Sequence, residues 1–70
     1  MKGSEFLRRV KALSRRKAIA VQWNAERGVG SHGTLYLGSR FTVVKELTKE
    51  IGPGLLSAMC KQLGIRKEEL

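Results

Sequence analysis

Residues 34–44 have the sequence TLYLGSRFTVV, which predicts a β-hairpin. Two short runs rich in β-branched and aromatic residues flank the pair Gly38-Ser39. A two-residue turn that contains glycine is typical of the connection between antiparallel strands. We therefore expect one strand at Thr34–Leu37 and another at Arg40–Val44.

Further elements are predicted before the hairpin. Ile19, Val21 and Trp23 alternate with small or polar residues, which indicates a strand over 18–23. Helical spacing of apolar residues indicates a helix over 4–14, with Ser4 as its N-cap. The apolar positions of this helix are Phe6, Leu7, Val10 and Leu13.

A second helix is predicted after the hairpin. Pro53 is suited to the first helical position, and Gly64 is suited to the left-handed residue that follows a helix, with Ile65 packing beside it. Its apolar face comprises Leu56, Met59, Cys60 and Leu63. One more turn is expected at the end. The prediction is an α+β fold of order α-β-β-β-α, a single domain over 1–70 with both helices on one face of a three-stranded antiparallel sheet.

The length and composition exclude several classes of protein. Seventy residues with 41% hydrophobic and 29% charged residues fit one small globular domain. The single cysteine, Cys60, cannot form an internal disulfide, and we expect it to be a buried, unreactive residue. No apolar run is long enough to span a membrane, and the first residues lack the apolar stretch of a signal peptide. A cytoplasmic location is expected.

The positive charge is concentrated in the first two thirds of the chain. Fourteen Lys and Arg outnumber six Glu, for a net charge of +8. Ten of the basic residues and only two acidic ones precede Glu46, and the remainder of the chain is balanced. Such a field attracts polyanions, although it can also serve only to keep a protein soluble. Nucleic acid or an acidic protein is the expected partner, and a membrane is not.

Two kinds of site are excluded by the residue inventory. Residues 28–33 match the dinucleotide pattern G-x-G-x-x-G, but that pattern requires a following helix, whereas a strand is predicted here. One His, one Cys and no Asp offer no spacing typical of a metal site and no Ser-His-Asp triad. We expect neither a metal nor a cofactor.

His32, the only histidine, is the candidate catalytic residue. It follows a glycine loop, and strand alternation places it on the same face as Thr34 and Tyr36, opposite Leu35 and Leu37. An imidazole can accept and donate protons near neutral pH. His32 could instead only cap the hairpin. Tyr36 and Trp23 could stack on bases, but packing is the simpler role for both.

The whole chain resembles the HicA toxins, which are small mRNA interferases of type II toxin–antitoxin systems. The resemblance lies in MKGSEFL at 1–7, GSHGTLY at 30–36, IGPGLL at 51–56 and MCKQLGI at 59–65. It implies a double-stranded-RNA-binding-domain-like fold and cleavage of mRNA by His32, the histidine of the G-S-H motif. It also implies neutralisation by a HicB-type antitoxin that covers the active site, with DNA bound only through that antitoxin.

The chain departs from the family pattern at two places. Many HicA toxins have a Pro, often with a second His, after the third strand, where this chain has Lys45-Glu46-Leu47. The lysine cluster of double-stranded-RNA-binding domains is missing at 53–56, which favours single-stranded mRNA as substrate.

The expected activity is metal-independent endoribonuclease cleavage that blocks translation. His32 is expected to deprotonate a ribose 2′-hydroxyl, and Tyr36 or a lysine to protonate the leaving oxygen. Further RNA contacts are expected from Arg27, Gly30, Ser31, Gly33, Tyr36, Arg40 and Lys45, including backbone amides of the glycine loop. The alternatives are a non-catalytic RNA-binding module on the same fold and a purely protein-binding adaptor.

Overall fold

The described part of the chain forms two helices, a three-stranded antiparallel sheet and a short 3-10 helix, and the predicted α+β class and element order are confirmed. The computed structural model describes residues 1–26 and 32–70. The elements are α1 (Gly3–Lys17), β1 (Val21–Ala25), β2 (Gly33–Leu37), β3 (Arg40–Val44), α2 (Pro53–Leu63) and the 3-10 helix Lys67–Glu69. Among the described residues, no helix is both long and apolar enough to cross a membrane.

The sheet has the strand order β1-β2-β3, so β1 and β3 are its edges. The predicted hairpin joins β2 to β3: Leu37 pairs with Arg40 across the turn, where Gly38 adopts a positive φ of 61°. The strand β2, and not a helix, includes and follows the last glycine of the dinucleotide pattern, as predicted.

The hydrophobic core lies between one face of the sheet and both helices. Leu35, Leu37 and Val44 are buried on the inner face of the sheet. The helices contribute Phe6, Leu7, Val10, Leu13, Met59, Cys60 and Leu63. Tyr36, Phe41 and Val43 are exposed on the outer face. Both helices therefore cover the same face of the sheet, and the outer face is open.

The predicted boundaries of the first helix and of the strand after it were wrong at both ends of each element. The N-cap is Lys2 and not Ser4, because carbonyl oxygens of a distant segment accept the first helical N–H groups: Ser4 donates to Leu47 at 2.8 Å. The helix continues to Lys17 and ends where Ala18 adopts a left-handed φ of 54°. The strand consequently spans 21–25 instead of 18–23.

The second helix begins and ends as predicted. Gly64 has a φ of 72°, and Ile65 donates its N–H to the Cys60 carbonyl at 3.0 Å and is buried. Cys60 is buried on the inner face of this helix, as predicted, and burial raises the pKa of its thiol. The predicted last turn is the 3-10 helix.

A carboxylate attaches this 3-10 helix to α1. A hydrogen bond from Lys17, together with one from the Arg66 backbone N–H at 2.8 Å, lowers the pKa of Glu69 from its ordinary 4.5. A carboxyl group with a lowered pKa stabilises the folded state above its ordinary pKa and loses that contribution as the pH falls through the lowered value.

We therefore expect the attachment of the last turn to α1 to weaken as the pH falls from about 4.5 through the lowered pKa of Glu69. The bonds from Arg16 to the Glu69 carbonyl at 2.8 Å and from Arg9 to the Leu70 carbonyl at 3.1 Å do not depend on this carboxylate and should remain. The amide NMR shift of Arg66, whose N–H donates to the Glu69 carboxylate, should follow this change between pH 7 and pH 2, and Glu69→Gln should remove the part of the change that comes from Glu69. The same pH dependence of this shift in the wild type and in the variant would contradict the prediction.

Candidate functional site

His32 lies directly before β2, at the end of the sheet away from the β2–β3 turn. Its carbonyl oxygen accepts the Glu26 N–H at 2.8 Å, so the pairing of β1 with β2 continues to this pair. His32 is partly exposed. Strand alternation places it on the outer face with Thr34 and Tyr36, as predicted.

Two charged residues flank His32 across the sheet. Continuing the observed registers by one residue sets it opposite Glu26 on one side and Lys45 on the other. Directly opposite residues on one face of an antiparallel pair have Cβ atoms about 4.5–5.5 Å apart. Glu26 and Lys45 are both exposed. The continued register thus assigns a carboxylate, an imidazole and an ammonium group to neighbouring positions of one row on the open face.

This row contains one functional candidate that the sequence analysis missed. Lys45 was predicted as an RNA contact. Glu26 was not, because in the sequence it lies before the glycine-rich stretch 28–33 and six residues away from His32. Only the register of β1 with β2 brings it to His32. A carboxylate next to an imidazole can accept a ring N–H and so fix its orientation, and an ammonium group can stabilise a developing negative charge.

The structure does not place Tyr36 beside His32. Tyr36 comes four positions after His32, which corresponds to about 13 Å along a β-strand. Tyr36 instead packs on Phe41 of the neighbouring strand, with 5.8 Å between ring centroids and 42° between the rings. Proton transfer requires hydrogen-bond distance, so Lys45 fits the role of proton donor better than Tyr36.

Arg40 also lies away from His32, at the turn end of β3. Its guanidinium donates to the carbonyl oxygens of Gln62 at 3.0 Å and Lys61 at 3.3 Å, at the carboxyl end of α2. A cation at this position satisfies helix carbonyl groups and favours the helix dipole. The structure gives Arg40 a structural role and does not bring it to the row of His32.

Three predicted RNA contacts, Arg27, Gly30 and Ser31, lie outside the described residues, as does most of the glycine loop. The remaining predicted contact, Gly33, is the first residue of β2 and is buried. A Cβ atom at Gly33 would lie 2.7 Å from two ring carbons of Trp23 and 2.7 Å from the Asn24 carbonyl oxygen. The indole of Trp23 therefore packs across Gly33, and this close contact leaves no space for a side chain at position 33.

We expect Gly33→Ala to destabilise the domain by about 1–3 kcal/mol, because the added methyl group overpacks the contact with Trp23 and a backbone oxygen. Urea unfolding followed by tryptophan fluorescence would measure the change. Gly54→Ala is the matched control: a Cβ at Gly54 meets nothing within 4 Å, and alanine favours the helix in which Gly54 lies. Equal stabilities of the two variants would contradict this packing.

Most of the basic residues of α1 lie on a different layer from His32. Because α1 packs on the inner face of the sheet, its exposed side chains are separated from the outer face. Arg8, Lys11 and Arg15 line a shallow cavity of about 290 Å³ there. Arg9 is paired with Glu5 at 2.6 Å, and this pairing lowers the pKa of Glu5. The positive charge of α1 therefore lies on a different layer of the molecule from the candidate site.

Within 1–26 and 32–70, no three His, Cys, Asp or Glu side chains are grouped closely enough to hold a metal ion. The candidate site therefore consists of His32, Glu26 and Lys45 on the outer face of the sheet.

Comparison of the chain with protein-family models, with curated proteins and with solved structures finds no match.

Proposed function

We propose that this protein is a metal-independent endoribonuclease of the HicA type, with a double-stranded-RNA-binding-domain-like fold. The observation that carries the proposal is the position of His32, which is partly exposed, directly precedes β2 and accepts the Glu26 N–H at 2.8 Å through its carbonyl oxygen. Lys45 directly follows Val44, the residue of β3 that pairs with Gly33. The element order and the net charge of +8 support it further. The G-S-H motif supplies the resemblance to the family.

In the proposed reaction, the neutral imidazole of His32 removes the proton of a ribose 2′-hydroxyl. The 2′-oxygen attacks the adjacent phosphorus, and the bond from phosphorus to the 5′-oxygen breaks. Lys45 donates a proton to that leaving oxygen, and Glu26 orients the imidazole without contacting the substrate. The products are a 2′,3′-cyclic phosphate and a 5′-hydroxyl, so no water is consumed in this step.

The proposed substrate is single-stranded mRNA. DNA has no 2′-hydroxyl and is not cleaved by this reaction. The first turn of α2 carries no lysine, in contrast to domains that bind RNA duplexes. A HicB-type antitoxin is the proposed protein partner, and any binding to DNA is through that antitoxin.

The test is cleavage of two RNA oligonucleotides of the same sequence, one of which has a single 2′-deoxy residue at the scissile position. We expect cleavage of the all-RNA strand, with a cyclic phosphate detected by mass spectrometry, and at least a 100-fold slower reaction at the deoxy site. Added EDTA should leave the rate unchanged. Cleavage of the deoxy strand at the same site and rate would exclude the mechanism.

A second candidate function is RNA binding without cleavage. The exposed basic residues of α1 favour it, because Arg8, Lys11 and Arg15 lie together on a layer that does not include His32. Both functions give RNA affinity that decreases with salt, so affinity alone does not separate them. An RNA that is bound but remains intact would support the binding module.

A further inference from the structure

The free edge of β3 has backbone hydrogen-bonding groups that the sheet leaves unused. Gly38 donates its N–H to the Ala20 carbonyl at 2.8 Å, and Glu26 donates to His32 at the same distance. Because alternate residues of an antiparallel strand bond to opposite sides, even-numbered residues of β2 bond to β1 and odd-numbered residues bond to β3. The register of β2 with β3 then determines which residues of β3 bond to β2 and which direct their backbone groups to the free edge.

In that register, Leu35 pairs with Thr42 and Leu37 pairs with Arg40. Arg40, Thr42 and Val44 therefore use their N–H and C=O groups towards β2, whereas Phe41 and Val43 direct theirs to the free edge. Among the described residues, no other backbone segment bonds to Phe41 or Val43. An edge strand of this kind is a template for pairing with another chain.

A trench runs along this edge, between β3 and α2. Its first part is a cavity of about 480 Å³ lined by residues 39–43 together with Leu55, Ala58 and Met59. A second cavity of about 310 Å³ continues past Val43 and shares Lys45, Leu55 and Met59 with the first. The wall formed by α2 is mainly apolar, and Leu55 is exposed.

The charge along the trench favours an acidic occupant. Arg40 and Lys45 line the larger cavity, and no acidic residue lines it. In the smaller cavity, Lys45 and Lys49 are balanced by Glu46 and Glu50. A second copy of this chain would bring another net charge of +8 to the same edge, and RNA has neither peptide groups nor apolar side chains to match the trench.

We propose that the free edge of β3 binds an extended acidic segment of a partner protein, which adds to the sheet as a fourth strand. Its backbone bonds to Phe41 and Val43, every second side chain is apolar and packs against Leu55 and Met59, and the acidic side chains between them face Lys45. Addition of a strand to an exposed sheet edge is a recurrent mode of peptide recognition.

This edge is close to the candidate catalytic row. Lys45 lines both cavities and is opposite His32 in the continued register. Strands in a sheet are about 4.8 Å apart, so an added strand lies about 10 Å from the backbone of His32. We expect the occupant to hinder access of RNA to His32. That consequence depends on the proposed function, whereas binding of the segment does not.

The test is an NMR titration of the ¹⁵N-labelled protein with a capped synthetic peptide, EVEVEVE. We expect shifted signals and slower amide exchange at Phe41 and Val43. Val43→Pro removes one outward N–H without breaking the bonds to β2 and should weaken binding at least tenfold. Ala25→Pro is the matched control, because the N–H of Ala25 faces the free edge of β1, and it should bind the peptide normally.

Val43→Glu is a second variant, because the side chain of Val43 is exposed and the added charge opposes an acidic peptide without removing a backbone group. It should also weaken binding, and the lysine counterpart KVKVKVK should bind at least tenfold more weakly to the wild type. Peptide-induced shifts confined to α1, or equal binding by all variants, would overturn the proposal.

Two other outcomes would give the edge a different occupant and would likewise overturn the proposal. One is a concentration-dependent dimer that Val43→Pro abolishes, measured by sedimentation. The other is a single-stranded RNA hexamer that shifts Phe41 and Val43 more strongly than the peptide does. If the protein binds the peptide but cleaves no RNA, the proposed nuclease function is contradicted, and the proposed binding of a strand to the edge of β3 is not.

Discussion

Replacement of His32 by alanine is expected to reduce the rate of RNA cleavage by about 10²- to 10⁴-fold, the usual contribution of a general base. The fold should be unaffected, because His32 is partly exposed and lies outside the core. We expect its free energy of unfolding to stay within about 0.5 kcal/mol of the wild-type value. Single-turnover cleavage of a labelled RNA and urea unfolding would measure the two quantities.

Thr34→Ala is the matched control for this experiment, since Thr34 is the next residue of the same outer face and has no role in the reaction. It should cleave RNA at the wild-type rate. Glu26→Gln should lower kcat with little change in KM, because Glu26 orients the imidazole and does not bind the substrate. Undiminished cleavage, or undiminished inhibition of growth, by the His32→Ala protein would favour the non-catalytic binding module.

Replacement of Phe6 by alanine is expected to cost about 3–5 kcal/mol of folding stability. The side chain of Phe6 is 0% exposed, on the face of α1 that packs into the core. A domain of 70 residues has a total stability of about 4–10 kcal/mol at the usual value per residue. The variant should therefore lose a large fraction of its stability, which urea unfolding followed by circular dichroism would show as a lower midpoint.

The chain contains a matched control for this loss. Phe41, its other phenylalanine, is 56% exposed on the outer face of the sheet and contacts Tyr36. Phe41→Ala removes the same side chain from a position where no cavity is created, and it should cost about 0.5–1.5 kcal/mol, the value of an aromatic pair. Equal losses from the two substitutions would contradict the burial of Phe6.

The elements that the sequence predicted correctly are those with strong local signals. A glycine in a two-residue turn predicted the β2–β3 hairpin, and the bounds of β3 were predicted correctly. Pro53 and Gly64 similarly predicted both ends of α2. Proline fixes φ at its own position and glycine permits a positive φ at its own, so no knowledge of distant contacts is needed in either case.

The features that were predicted incorrectly depend on distant contacts. The start of α1 is determined by hydrogen bonds to carbonyl groups some 45 residues away, including that of Leu47. Its end depends on a left-handed conformation at Ala18, which no residue type signals. Because α1 ends three residues later than predicted, β1 also begins three residues later than predicted.

The candidate site shows the same division. The outward position of His32 follows from strand alternation and could be predicted. Its neighbours could not, because Glu26 comes to it only through the pairing of β1 with β2. The packing of Gly33 also could not be predicted: the sequence suggested a contact with RNA, and only the register shows that the indole of Trp23 lies close to this glycine.

The buried thiol of Cys60 gives this protein an internal reporter of its own unfolding. Cys60 is the only cysteine of the chain, and its side chain is inaccessible with a raised pKa. A thiol-specific reagent such as Ellman's reagent reacts with the thiolate, and here it reaches the thiol only after a local opening, because Cys60 is 2% exposed beneath the segment 65–68 that lines a shallow cavity with it. The rate of labelling therefore measures how often α2 or the segment after it opens, with no need for an introduced probe.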